Sequence, residues 1–286
     1  MPIAPNSSAL KRRLDRYFWD NKLAEMKCLR ATLTTHFGAF ERVAVIGGLV
    51  RDFAREGPSG FRSDVDLVID GPVEDVARLA KHLRATPNRF GGYGCKEGLW
   101  EIDFWALETT WGRQHVPVRK LEDVVSCTFF DWDAIAYDLW EKKLICTDGY
   151  LERIRQLTLD INLRPNPSPM GNLVRAIRRL VRWQAYPGPA LREFIDEYLD
   201  EDALRFVQAK ETELFQNPVS TCWRTAEEAR EFLFLDQKMR DCRQVEFGFN
   251  GMSRAATRNG FGSSYADEVN GAYQDPRFNP AVGMLF

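Results

Sequence analysis

Residues 42–52 read Arg-Val-Ala-Val-Ile-Gly-Gly-Leu-Val-Arg-Asp, and residues 63–70 read Ser-Asp-Val-Asp-Leu-Val-Ile-Asp. The run 42–46 is short, β-branched and stopped by Gly47-Gly48, which predicts a buried strand. A helix over 49–55 opens directly behind the glycines. Glycines at such a turn let the backbone approach a bound group closely. The helix start aims N–H groups and a positive dipole end outward, which suits a phosphate. Taken alone, the same pair of glycines also reads as a tight strand–helix turn. The second run predicts a strand over 65–69, ended by Asp70-Gly71-Pro72. Side chains two apart on a strand share a face, so Asp64 and Asp66 project together while Val65, Leu67 and Ile69 point into a core. Two neighbouring carboxylates repel, and each is costly to desolvate unpaired. A divalent cation between them removes both penalties, and Mg²⁺ favours a few carboxylates plus water and phosphate oxygens.

Further along, residues 99–107 read Leu-Trp-Glu-Ile-Asp-Phe-Trp-Ala-Leu, a third predicted strand. Asp103 stands between Ile102 and Phe104, and Glu101 shares its face. A carboxylate among aromatics is a poor choice for packing alone, so an ion-binding role gains weight. A glycine turn, an Asp-x-Asp pair and a later strand carboxylate suit phosphoryl transfer with two metal ions roughly 4 Å apart, one activating a hydroxyl and one holding the leaving pyrophosphate. Asp103 would touch the metal nearest the nucleophile. The stretch Gly91-Gly92-Tyr93-Gly94 lacks the Lys-Ser/Thr of a P-loop and reads as a hairpin before the Asp103 strand.

The surrounding pattern is mixed α/β up to about residue 150. Residues 9–37 read as a helix or a helical pair, capped by Ser7 or Ser8 and followed by Gly38. Leu10 and Leu14 share one face, and Leu23, Met26, Leu33 and Phe37 share another. Residues 57–60 (Gly-Pro-Ser-Gly) read as a loop. Val73, Val76, Ala77, Ala80 and Leu83 recur at helical spacing. The apolar stretches 134–140 and 143–146 flank a turn at Glu141-Lys142. Beyond 150 the pattern is helical, with candidates over 172–184, 190–199, 202–215 and 225–240. From Gly248 the chain is rich in Gly, Asn and Ser, which predicts a loop-rich tail.

With 44% hydrophobic and 28% charged residues, the 286-residue chain is of ordinary globular composition, which argues against a disordered or rod-like protein. No apolar run of transmembrane length is present, so no membrane association is expected. The N-terminal residues lack the apolar segment of a secretory leader. Six cysteines at 28, 95, 127, 146, 222 and 242 show no Cys-x-x-Cys spacing, which fits buried, reduced thiols in a cytoplasmic protein. The three histidines are isolated. Trp100, Trp105, Trp111, Trp132 and Trp183 are available to stack on bases, though tryptophans are more often core. A net charge of −2 does not mark a nucleic-acid binder, so any such role rests on local patches. One such patch exists. Arg175, Arg178, Arg179 and Arg182 fall on one helical stripe opposite Leu173, Ile177, Leu180 and Val181. Like charges so placed repel, and either acids elsewhere or an anionic partner would relieve them.

Taken together, Gly-Gly-Leu-Val-Arg-Asp (47–52) and Asp-Val-Asp-Leu-Val (64–68) resemble the Gly-Gly-x-Val-Arg-Asp and Asp-x-Asp-Leu-Val motifs of class II tRNA nucleotidyltransferases (CCA-adding enzymes) and bacterial poly(A) polymerases, of the DNA polymerase β superfamily. Residues 130–137 (Phe-Asp-Trp-Asp-Ala-Ile-Ala-Tyr) are similar to that family's Phe-Thr-Ile-Asn-Ala-Met-Ala-Tyr, and 173–181 resemble its Arg-rich helix. The resemblance covers roughly the first two-thirds of the chain. It implies an α+β fold: an N-terminal helical segment (1–40), a polymerase-β-type nucleotidyltransferase head with a mixed sheet flanked by helices (41–150), a helical neck-like part (151–247) and a Gly/Asn-rich tail (248–286). It implies transfer of a nucleoside monophosphate from an NTP (ATP or CTP) to an acceptor hydroxyl, most naturally an RNA or tRNA-like 3′ end, with two Mg²⁺ ions or Mn²⁺ in their place. Asp64, Asp66 and Asp103 would be the catalytic metal ligands. Gly47, Gly48, Arg51, Asp52, Asp133, Arg175 and Arg178 would contact nucleotide, and Arg179 and Arg182 would contact RNA. The chain departs from the family at Cys127-Thr128-Phe129, where Arg-Arg-Asp is usual, and at Asp133, where Asn is usual. A protein, small-molecule or nucleotide acceptor, or a silent binding module, therefore remain alternatives.

Overall fold

Asn6 starts the first helix. Its Oδ1 accepts from the Ala9 N–H at 2.8 Å, the role expected of Ser7 or Ser8, which lie inside the first turn instead. The computed structural model describes residues 3–57, 64–88 and 90–235. Helix α1 (Ser7–Asp15) buries Leu10 and Leu14 and runs into a π-helical turn, Arg16–Asp20. Helix α2 (Ala24–Thr32) buries Met26 and Leu29 and ends in a second π-helical turn, Leu33–Phe37. The expected helical pair is present, but Leu23 is not on its apolar face: it is 52% exposed in the break between the two helices. There the Arg30 guanidinium closes the bend by donating to Phe18 O and Asn21 O, each at 2.7 Å.

Next come β1 (Arg42–Ile46), α3 (Gly48–Arg55), β2 (Val65–Asp70), α4 (Val73–His82), β3 (Thr86–Pro87), β4 (Tyr93–Glu97), β5 (Trp100–Ala106), β6 (Ile135–Asp138), β7 (Lys143–Cys146) and α5 (Tyr150–Arg155). The seven strands form one sheet in the order β3-β4-β5-β2-β1-β6-β7. The β2–β5 pair is parallel, whereas the other pairs in this sheet are antiparallel. Leu99, expected to open β5, sits in the β4–β5 turn and is 78% exposed. Gly91 and Gly92 lie in the connection between the antiparallel strands β3 and β4, as the hairpin expectation requires. Lys142 turns the β6–β7 hairpin with φ 50°.

Register assigns the two faces of the sheet. Val45, Tyr137, Leu67 and Phe104 fall on one face. There Phe18 stacks on Tyr137 at 5.7 Å between centroids, and Phe37 meets Phe104 edge-on at 5.3 Å. The N-terminal helical pair therefore covers that face. On the other, Ala44, Ile46, Val68, Trp105 and Ala136 pack with Leu121, Val124 and Val125 from a 3₁₀ segment, Leu121–Cys127. This second face also carries the even-numbered positions of β2 and the odd-numbered positions of β5, so apolar packing at one end gives way to carboxylates at the other. At the edge of β1, Arg42 makes a bidentate pair with Glu122 (2.9 and 3.2 Å) and donates to the buried Asp138 at 2.9 Å.

The described residues divide into two compact units: the first runs to Arg155 and includes Asn162–Pro165, and the second is Gln156–Ile161 with the described residues from Asn166 onward. In the second, β8 (Thr158–Leu159) pairs in parallel with β9 (Tyr186–Pro187). Helices α6 (Pro169–Arg182), α7 (Pro189–Tyr198), α8 (Glu201–Leu214) and α9 (Ala226–Phe234) supply the rest. Asp200 caps α8 by accepting from Ala203 N–H, and Thr225 caps α9 by accepting from Glu228 N–H. The expected extension of the last helix to 240 and the tail from 248 lie outside the described residues. Among the described cysteines none forms a disulfide, but only Cys127 is buried and Cys28 is exposed, so burial holds for one of the expected thiols. Among the described residues, no helix is long and apolar enough to cross a membrane.

Candidate functional site

Asp66 stands opposite Asp103 across the parallel β2–β5 pair. Both are 6% exposed. One residue earlier the pair Val65–Ile102 faces the opposite side, which brings Asp64, at the mouth of β2, level with Glu101. Four carboxylates thus share one end of one sheet face. Burial, then the charges of Asp64 and Glu101, push the Asp103 carboxyl up to about 7. Burial, then Glu101, push Asp64 up to about 6. Groups so placed resist ionising together without a cation.

On the far side of β5 the strand β4 makes room for them. Gly94 is opposite Asp103, and a Cβ there would stand 2.7 Å from Asp103 Oδ1. Lys96 is opposite Glu101, with Nζ 3.8 Å from Oε1. Among the described residues no three His, Cys, Asp or Glu side chains converge into a finished coordination set. The fit to a metal therefore rests on donor chemistry: hard oxygen ligands, largely buried and mutually repelling, which suit Mg²⁺ or Mn²⁺.

Gly47 ends β1 with φ 69° and ψ −122°, a conformation that favours glycine, and α3 begins at Gly48 with no side-chain cap. Behind this turn, Arg51, Asp52 and Asp133 gather into one buried cluster. Arg51 Nη1 meets Asp133 Oδ1 at 2.5 Å, and Arg51 Nε meets Asp52 Oδ1 at 2.9 Å. Burial opposes the Arg51 charge, but the two carboxylates outweigh it and raise its pKa above the ordinary range. The turn Asp131–Asp133 is itself braced. Tyr150 Oη donates to Trp132 O at 2.6 Å, and the Arg55 guanidinium lies 5.7 Å from the Trp132 ring centre. Trp105 and Trp132 are core residues. Trp100 Nε1 donates to Glu25 O.

Within the second unit, the α6 arginines divide. Arg178 Nη1 donates to the fully buried Glu211 at 2.7 Å, and its guanidinium lies 3.5 Å from the Phe215 ring centre. Glu211 also accepts from Val219 and Ser220 N–H. Arg175 donates to Asn172 at 3.2 Å, Arg179 lies over Trp183, and Arg182 is exposed.

Glu101 and Lys96 were not among the expected site residues, although the period-2 pattern already places Glu101 on the Asp103 face. Glu211 carries no local signal, because its partner Arg178 is 33 residues away.

No protein-family model matches the sequence, and no curated protein matches it. Solved structures do. A CCA-adding enzyme in complex with CTP aligns at a TM-score of 0.54 and 18% identity, covering 90% of this chain and 65% of that one. A Thermotoga maritima CCA-adding enzyme complexed with tRNA aligns at 0.48 and 15%, covering 96% and 58%. A tRNA-processing enzyme with CTP aligns at 0.46 and 18%, covering 76% and 57%. The first of these likenesses establishes that the chain has the fold of a CCA-adding enzyme. The chain spans less than two-thirds of the length of each of these three proteins.

Proposed function

We propose that the chain is a divalent-metal-dependent nucleotidyltransferase that moves a nucleoside monophosphate from ATP or CTP to an acceptor hydroxyl and releases pyrophosphate. The observation that carries this is the facing row of Asp64 and Asp66 against Glu101 and Asp103, on the sheet that also bears the Gly47–Gly48 turn. The fold shared with an enzyme captured with CTP supports an NTP as substrate.

Asp64, Asp66 and Asp103 would hold the metal. Bound there, it would supply Lewis-acid stabilisation of the transferring phosphoryl group and ease deprotonation of the attacking hydroxyl. The remaining work belongs to the chain. The first amides of α3 and its dipole receive phosphate oxygens. Gly94 keeps clear the space that the Asp103 carboxylate occupies. Lys96, exposed at the rim beside Glu101, offsets the local negative charge that an incoming triphosphate meets.

An RNA 3′ end, tRNA-like, is the favoured acceptor. Arg179 and Arg182, with Arg175, would meet its backbone, whereas Arg178 braces α6 through Glu211. A second reading, a different acceptor, is favoured by the burial of Cys127, Thr128 and Phe129 where the resembled family carries Arg-Arg-Asp.

The deciding experiment incubates the protein with Mg²⁺, each α-labelled NTP in turn and total cellular RNA, with the double variant Asp64→Ala/Asp66→Ala as control. Label in a tRNA-sized band that the double variant loses supports the RNA acceptor. Pyrophosphate without labelled RNA moves the acceptor elsewhere. No turnover with any NTP defeats the transferase proposal.

A further inference from the structure

The segment from Asp133 to Ile135 grips the start of α3 at two points. Gly47 N–H donates to Ile135 O at 2.9 Å. Two residues earlier, Asp133 Oδ1 receives Arg51 Nη1 at 2.5 Å, and Arg51 in turn holds Asp52. Gly47 has no side chain with which to fix its own unusual backbone, and α3 has no capping side chain. The placement of the turn must therefore come from its neighbours.

Those neighbours are well mounted. Asp133 is fully buried and Arg51 is 7% exposed. Tyr150 Oη holds Trp132 O at 2.6 Å, and Arg153 Nε lies 3.4 Å from Asp131 Oδ2. A guanidinium clamped between two carboxylates within the protein is poorly placed to serve as a phosphate ligand. It is well placed to serve as a strut. Packing and hydrogen bonds behind a site fix the groups that face the ligand, and their loss loosens the site even when the fold survives.

We infer that Asp133 is a positioning residue for nucleotide binding: through Arg51 it sets the Gly47–Gly48 turn and the first amides of α3, and these amides, not the Arg51 guanidinium, meet the phosphates. The inference rests on the nucleotidyltransferase reading and assigns to Arg51 a different role from the triphosphate contact that the motif resemblance implies.

The test is calorimetric binding of α,β-methylene-ATP and α,β-methylene-CTP, with Mg²⁺, to the wild-type chain, Asp133→Ala and Asp133→Asn. Circular dichroism and melting curves verify the fold of each variant. Asp133→Ala is expected to bind about tenfold more weakly, and Asp133→Asn, which keeps an Oδ1 acceptor, about threefold more weakly. In turnover, KM for the NTP rises while kcat at saturation stays within about threefold. Unchanged affinity in a folded variant overturns the inference and leaves the transferase reading standing. Tighter binding also overturns it, because the released guanidinium would then be the phosphate ligand. A fall in kcat at constant KM overturns it as well. If Asp133→Ala does not fold, the Asn variant decides by the same criteria. A wild-type chain that binds neither analogue overturns this inference and the transferase reading together.

Discussion

Asp66 and Asp103 face each other from parallel strands, both almost wholly buried, and Asp103 also feels the charge of Asp64. Such an arrangement destabilises a metal-free fold and gives a dication something to relieve. Asp103→Asn is therefore expected to raise the melting temperature in EDTA by about 2–4 °C, which corresponds to about 1 kcal/mol for a chain of this size. Millimolar Mg²⁺ is expected to raise the wild-type melting temperature further, and the same variant should lose that rise. Differential scanning fluorimetry with and without Mg²⁺ measures both, and a variant less stable than wild type in EDTA would contradict this account.

Gly94 tests the same site sterically. Its missing Cβ leaves the space 2.7 Å from Asp103 Oδ1. Gly94→Ala forces that carboxylate to shift, and about a tenfold loss of nucleotidyl transfer is expected, with the melting temperature nearly retained. Wild-type activity in this variant would mean that the position of Asp103 is not critical.

Arg178 is expected to behave unlike its neighbours on α6. Removing it strands the buried Glu211 carboxylate, at a cost of about 3 kcal/mol. Arg179→Ala and Arg182→Ala should change stability by less than about 0.5 kcal/mol while weakening RNA binding. Urea melts give the first comparison and filter binding the second. Equal stability losses at 178 and 182 would refute the division.

Glu122 supplies the acid-limb prediction. The hydrogen bond from Arg42 lowers its carboxyl to about 2, with Lys143 adding to the effect. A depressed carboxylate pKa stabilises the fold above the unfolded value near 4.5, and the gain is lost as pH falls through the folded value. The wild-type chain should therefore melt above Glu122→Gln at pH 6 and 5, and the difference should shrink between pH 4.5 and 2. A difference constant across that window would place the effect in packing and not in charge.

The parts of this architecture that local chemistry dictates were legible in the residues. The β-branched run before Gly47-Gly48, the alternation through Asp64 and Asp66, and the carboxylate inside 99–107 each announce an element and a facing direction. What alternation cannot supply is the neighbour across a ladder. That Asp103 meets Asp66, and that Gly94 leaves it space, follows from the crossover through α4. Arg51 and Asp133 are 82 residues apart, and no periodicity couples them. Leu23 misleads because helical spacing continues through a bend that Arg30 closes by hydrogen bonds to backbone carbonyls.

The parallel pairing of β2 with β5 also has a consequence for the order of assembly. Parallel neighbours cannot be joined by a tight turn and need a long crossover, here α4 with the β3–β4 hairpin. Contacts that close long loops form late and slow folding. As the chain emerges from a ribosome, Asp64 and Asp66 appear well before the strand that completes their face. A nascent chain cut short before Asp103 would present the first two carboxylates without their partners. Capacity for metal would therefore arrive in one step, with the docking of β5, and metal uptake during refolding would report that single event.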